Sequence, residues 1–457
     1  MNEKIRVLFI GEMNSSHAQS WVRLITPFPQ EFEVRALNLS SSANWENPPI
    51  PVAWPIMEPH GTDAADKPPI LDMFAHEWRH YIPQERLLNI RLSRDAQKII
   101  DAFCPHVIHT FGFFPSAVFY AYVIENAQAQ WHTKWVLQTR GGSDFSVAYT
   151  EPYWRDCYKR IVPLANAVIC DNERNFSILD EIKVTAKRHP ILSIAPGTGG
   201  MDTMRESPLP LKKRERLILW PKAYDSDFAK CLPTLEGLRV ALERIAPARI
   251  IAYSPAREVS DTIASFSKEL RDCFELRAHI PRDEYLEMYH DARVMLAPAL
   301  VDGIPNVLYE SMITGLVPIV SPLETLTPHF EDGKQVLYAR NLYPNEIAEA
   351  LIKAMNDDTL AERIVRYNAE HFPFFARRPD IQQKVRELYQ DLAGKIDPSC
   401  TELGRAKAQL LYTQTELANI QTELANTQTE LADAQRILSL PAIHAQRAIW
   451  KRLKFWE

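Results

Sequence analysis

Asp302 and Glu310 lie in the stretch Asp-Gly-Ile-Pro-Asn-Val-Leu-Tyr-Glu-Ser-Met-Ile-Thr-Gly-Leu-Val-Pro-Ile-Val-Ser-Pro, residues 302–322. The apolar run 294–301 before it reads as a buried parallel strand. Pro305 suits the first position of a helix running to about Thr314, where Gly315 supplies a left-handed stop. The run 316–321 is the next strand, so the unit is strand, acid-bearing turn, helix, strand. Gly303 permits a tight turn and close approach of backbone to a ligand. Unpaired N–H groups and the positive dipole end of the helix favour a diphosphate. One turn further in, the Glu310 carboxylate can accept hydrogen bonds from the vicinal hydroxyls of a ribose. Anion and diol recognition side by side is what a sugar nucleotide requires.

The elements that would position these groups recur along the whole chain. Apolar runs at 4–11, 32–39, 106–112, 134–141 and 166–172 alternate with helix-length amphipathic stretches, and so do runs at 216–222, 248–255, 274–281, 294–301, 316–321 and 335–340. This pattern predicts an α/β fold with two Rossmann-like domains facing a cleft. The polar Gly/Pro-rich stretch 195–213 divides an N-terminal, acceptor-side domain (1–195) from a nucleotide-sugar-binding domain (196–395). Ligands in such sheets sit at the carboxyl ends of the strands. Prolines 48, 49, 51, 55, 59, 68 and 69 deny regular structure to 41–70, a long loop that either is a surface excursion or shapes the acceptor side.

Segment 302–322 resembles the nucleotide-sugar motif of retaining GT-B glycosyltransferases, glycosyltransferase family 4 (glycosyl transferases group 1) in particular. That motif is an acid, seven residues, then Glu, with Asp302 here in place of the usual first Glu. The resemblance extends over roughly residues 4–393. It implies that Glu310 grips the ribose and Asp302 the donor sugar. Gly303, Ile304, Pro305 and Asn306 would line the diphosphate at the helix start. Lys222, after the strand at 216–220, and Lys230 would neutralise that diphosphate, Lys222 without the bidentate fork of the family's usual Arg. Pro196-Gly197-Thr198-Gly199-Gly200-Met201-Asp202 resembles the interdomain turn. Arg140-Gly141-Gly142-Ser143-Asp144 is similar to the family's His-Gly-Ser-Asp turn, with Arg for His, which leaves His109 and His17 as candidates to face the cleft. The turn Gly11-Glu12-Met13-Asn14 lacks the family's second glycine.

A formal charge of −6, with 46% hydrophobic and 24% charged residues, gives no push toward nucleic acid. The six scattered cysteines have no metal-ligand spacing and fit a reducing cytoplasm. No run reaches the ~18 apolar residues of a membrane span. His76-Glu77-Trp78-Arg79-His80 matches a zinc-protease pattern, but Pro83 interrupts the helix and no third ligand motif follows. No metal and no cofactor beyond the donor substrate are expected.

Leucines 403, 410, 417, 424, 431 and 438 mark heptads within 396–440, which predict a coiled coil and a homo-oligomer. The other seam, Ala406, Thr413, Ile420, Thr427 and Ala434, makes that association weak. After Pro441 the segment 441–457 is basic and aromatic, as a peripheral contact with an anionic membrane face would be. The leading expectation is a cytoplasmic, membrane-associated glycosyltransferase, moving a sugar from a nucleoside diphosphate sugar to a glycan or glycolipid in polysaccharide assembly. Two alternatives are a GT-B nucleotide-sugar epimerase and a weak or inactive GT-B scaffold organising an assembly complex. The shortened Asp302, Arg140 and only 14 glycines in 457 residues fit the scaffold.

Overall fold

Strands that read as unbroken apolar runs must be covered on both faces, and the chain meets this with two parallel sheets wrapped in helices. The computed structural model describes residues 3–39, 49–50, 52–53, 96–125, 132–144, 152–202, 210–278, 280, 282–395, 424 and 427–428. The first sheet holds β1 (Ile5–Gly11), β2 (Phe32–Asn38), β3 (Val52–Ala53), β4 (Val107–Phe111), β5 (Lys134–Gln138) and β6 (Ala167–Ile169). The second holds β7 (Leu217–Trp220), β8 (Arg249–Tyr253), β9 (Phe274–Arg277), β10 (Val294–Ala297), β11 (Val317–Val320) and β12 (Leu337–Tyr338). Their orders are β3-β2-β1-β4-β5-β6 and β12-β11-β10-β7-β8-β9, and every pairing is parallel. Both are therefore the same doubly wound topology, as expected for GT-B.

In each sheet the winding reverses once, between β1 and β4 and between β7 and β10. A crevice opens at such a reversal, because neighbouring strands send their following loops to opposite faces. In the second sheet Val294 pairs with Ile218 and Met295 with Leu219, so the loops after β7 and β10 emerge side by side. Those loops carry Lys222 and Asp302. Each face of this sheet has its own core: one includes Trp220, Leu235, Leu296, Ile319 and Leu351, the other Leu219, Met295, Leu308, Tyr309 and Phe330.

Two expectations need correction. Segment 41–70 contains β3, which extends the first sheet beside β2. A two-residue strand at a sheet edge needs only one partner and tolerates flanking proline. The division at 195/196 also fails for the last helix, Arg378–Gly394, which packs into the first domain's core through Ile381, Val385, Leu388, Tyr389 and Leu392. The helix is anchored at its start: Arg378 Nη2 donates to Ser20 O (2.7 Å) and its Nη1 to Ser20 Oγ (2.9 Å). At the interdomain turn Met201 N donates to Ala376 O (2.8 Å) and Arg378 N to Met201 O (2.9 Å). Gly200 has φ +89°, and a Cβ there would lie 2.8 Å from Ala376 O, so this crossing of chain segments requires glycine.

Residues 98–104 belong to a second unit, where Cys104 N donates to Ile100 O (2.8 Å) and closes a short helical segment. The His76–His80 pattern, most of 41–70, the basic segment 441–457 and the heptads other than 424, 427 and 428 lie outside the described residues. Among the described residues no helix is long and apolar enough to cross a membrane.

Candidate active site

The helix after β10 runs Asn306–Thr314 and ends at Gly315 in the left-handed region (φ 79°, ψ 32°), as its sequence demands. Pro305 sits one position earlier than expected, as the N-cap with extended backbone. Glu310 is on the second turn and only 2% exposed. Its neighbours Leu308, Tyr309, Ser311 and Met312 are buried as well, so the middle of the helix is inside the domain.

At the switch point Lys222 Nζ forms an ion pair with Asp302 Oδ2. Lys222 is 8% exposed, and a buried ammonium without a partner would cost several kcal/mol. Lys230 is the N-cap of the helix Cys231–Ile245 and stands further out. Its Nζ pairs with Asp225 Oδ1 at 2.7 Å, and that hydrogen bond raises its pKa. The Asn341 side chain fixes the Lys230 backbone, accepting from its N–H (2.9 Å) and donating to its carbonyl (3.2 Å).

The first domain meets this surface directly. Asn306 Nδ2 lies 2.8 Å from His17 Nε2, and Thr198 Oγ1 donates to Asn306 Oδ1 (3.2 Å). Asn306 thus joins the helix start to the first helix (Ser16–Val22) and to the interdomain turn. The backbone of Gly141 approaches the Asp302–Gly303 turn so closely that a Cβ on Gly303 would lie 2.8 Å from Gly141 Cα and overlap the Asp171 carboxylate. Gly303 thus lies in tight approach to the opposite domain. Arg140 Nη1 pairs with Glu12 Oε2 at 2.7 Å, tying the β5 turn to the β1 turn. Asp144 accepts from Phe113 N (2.8 Å) and Arg140 N, while burial pushes its pKa up to about 6.

Residues just beyond a strand's carboxyl end are the ones to inspect, yet sequence reading passed over Asp171, two residues past β6. Its carboxylate is buried, accepts from Asn172 Nδ2 (2.8 Å) and Asn175 Nδ2 (3.0 Å), and lies against the Gly303 turn across the cleft.

His109 is not brought to this cleft. It shares a strand face with Val107 and Phe111, two residues to either side, and that face packs on the last helix. Nδ1 lies 2.7 Å from Tyr389 Oη and Nε2 2.9 Å from Gln138 Oε1, and burial lowers its pKa to about 3. It is a neutral core histidine, because a strand's alternation fixes which way a side chain points before any ligand does. Tyr389→Phe should cost about 1–3 kcal/mol by leaving that ring nitrogen unpaired. Urea unfolding should register the loss, and nucleotide affinity should be unchanged.

Lys222, Asp302, Gly303, Ile304 and the helix bearing Glu310 therefore come together, with Lys230 at the margin and His109 elsewhere. Residues 265–371 match the family model described as Glycosyl transferases group 1. No curated protein matches the sequence. Among solved structures the chain is similar to sucrose-phosphate synthase from Thermosynechococcus elongatus, at 15% identity and a TM-score of 0.62, over 85% of this chain and 99% of that one. It is also similar to a glycosyltransferase from Rickettsia africae (11%, TM-score 0.61, 86% and 100%). HepE of Anabaena, solved in complex with UDP and glucose, aligns at 12% identity and a TM-score of 0.60, over 85% and 100%.

Proposed function

We propose that this chain, with a glycosyl transferases group 1 domain over residues 265–371 inside a GT-B fold, is a retaining glycosyltransferase. It moves a sugar from a nucleoside diphosphate sugar onto a glycan or glycolipid acceptor. The observation that carries this reading is the meeting of Lys222, Asp302, a helix N-terminus and Glu310 at one topological switch point. The nucleotide complex of HepE supports a donor of this class.

In this mechanism the ribose hydroxyls donate to Glu310, and the diphosphate lies against the Pro305–Asn306 helix start. Lys222 exchanges part of its attraction for Asp302 for the leaving phosphate, and Asp302 turns to the sugar hydroxyls. Negative charge grows on the leaving diphosphate in the transition state, so the fixed ammonium and helix dipole act most strongly there. The leaving phosphate takes the acceptor's proton, and no protein nucleophile enters. Incubation with a panel of nucleotide sugars, scored by thermal shift and release of nucleoside diphosphate, tests the reading. Absence of binding by every member would overturn it.

Lys230 acts from the rim. Lys230→Ala should weaken donor binding by about fivefold, the scale of a partly exposed ion pair. Isothermal titration with nucleoside diphosphate would measure it, and unchanged affinity would remove Lys230 from the donor site.

The heptads of 403–438 and the basic aromatic segment after them fit a role in polysaccharide assembly at a membrane, with oligomers adding avidity to a weak surface contact. Deleting residues 396–457 should leave soluble-acceptor transfer intact, lower the sedimentation coefficient and abolish binding to anionic vesicles at low salt. Equal sedimentation and vesicle binding by the two forms would refute this part of the proposal.

A further inference from the structure

Gly303 and Ile304 face the opposite domain as well as the expected donor. The contact there is made by a carboxylate: Asp171 fills the space that a Gly303 side chain would take, its Oδ2 overlapping the place where that Cβ would stand. Asn172 and Asn175 hold the same carboxylate from behind. Gly141 lies against it too, since a Cβ on Gly141 would sit 3.5 Å from Asp171 Oδ2 and 3.5 Å from Gly303 N. This is a fitted contact, built from two segments of the first domain and one turn of the second.

We propose that Asp171 is an internal competitor for the donor sugar: its carboxylate occupies the space against the Gly303 turn that a sugar hydroxyl would take, so donor entry requires Asp171 to let go. The proposal rests on the reading that the Asp302–Ile304 turn takes the donor's sugar. The turn is glycine at the point of contact, so it leaves room there for one group, and the buried carboxylate already fills it.

The contact is opposed by its surroundings, which makes it releasable. Asp302 faces Asp171 from the donor turn with Lys222 as its counter-ion, and Asp144 faces it from the β5 turn, where Arg140 offsets part of its charge. The Tyr309 phenol faces it from the donor helix, and Asn172 and Asn175 from its own helix. Burial and the charge of Asp302 push the Asp171 pKa up to about 7. An Asp171 released into the open cleft would titrate in the ordinary carboxylate range. Closing then takes up a proton, so the contact is fully favoured below that ordinary range and is lost as pH rises through about 7.

The experiment uses the full chain as wild type, Asp171→Ala and Asp171→Asn. It reads amide exchange of the peptide carrying Ile304 at pH 6 and pH 8, corrected for the intrinsic rate. It also reads affinity for UDP and for UDP-glucose. Wild type should protect the peptide more at pH 6 than at pH 8. Asp171→Ala should lose that protection at both values, and Asp171→Asn should keep it with no dependence on pH. UDP-glucose should bind Asp171→Ala about threefold or more tightly than wild type, the gain from removing a competing closed form, while UDP affinity changes less.

Equal protection in wild type and Asp171→Ala would overturn the contact. Altered protection with equal UDP-glucose affinity would overturn the competition. Should no form bind UDP-glucose or UDP while protection still follows Asp171, the donor reading falls and the competition with it, leaving a plain interdomain clasp. Thermal melting of each variant separates these results from misfolding, and Asp171→Asn retains the acceptor oxygen should alanine unfold the turn.

Discussion

Changing Lys222 to methionine should lower glycosyl transfer by about 100- to 1,000-fold, the usual effect of removing one fixed group that meets developing charge. Methionine matches the length of the lysine stem, so the pocket after β7 stays filled. Lost is the ammonium that now pairs with Asp302. Charge on the leaving diphosphate is greater in the transition state than in the bound donor, so kcat should fall more than KM rises. Asp302 is partly solvated, with 24% of its side chain exposed, so water can take the place of its partner. The melting temperature should therefore move by a few degrees only. Steady-state kinetics over a range of donor concentrations provides the check. A rise in KM alone would mean that Lys222 binds the donor without serving the reaction.

Glu310→Gln should raise the donor KM by roughly 10- to 150-fold, equivalent to the 1.5–3 kcal/mol of hydrogen bonds to a charged group. A carboxylate accepts from both hydroxyls of a diol, whereas an amide offers one acceptor oxygen and turns two donors toward the second hydroxyl. The site is 2% exposed, so water cannot replace what is lost. The isosteric change leaves helix packing alone, and a circular dichroism melt should confirm that. Comparison of a ribose nucleotide with its 2′,3′-dideoxy analogue sharpens the test. Wild type should discriminate strongly between the two and the variant hardly at all. Equal discrimination would remove Glu310 from the ribose.

The parts of this site that came from local chain grammar were legible in the sequence. Apolar runs marked eleven strands, Gly315 marked a helix end, and the step from Asp302 to Glu310 placed two acids on one turn-and-helix unit. The misread parts depend on what a face packs against, which periodicity does not report. The helix Arg378–Gly394 has the same apolar stripe whichever domain receives it, and only the structure assigns it to the first. His109 looked available because it follows apolar residues near a strand end. Its side chain points at Tyr389 because the face it shares with Val107 and Phe111 is covered. Asp171 was hidden for the opposite reason: an acid past a strand looks solvated until the Gly303 turn is set against it.

The return of the last helix sets an order of events during synthesis. Trp21 and His109 bond to Tyr389, from which they are separated by 368 and 280 residues. Until the ribosome has delivered that helix, Val7, Phe9, Trp21 and Val22 have no cover for the face it will occupy. At about 5–20 residues per second the nascent first half waits tens of seconds with an apolar surface open. The second domain, whose two cores are contributed between Met201 and Ala376, has no such wait. Completion therefore runs backward along the chain: the half made first is finished last. A chain arrested before Arg378 should bind a hydrophobic dye and recruit chaperones, although every strand of both sheets has already been made.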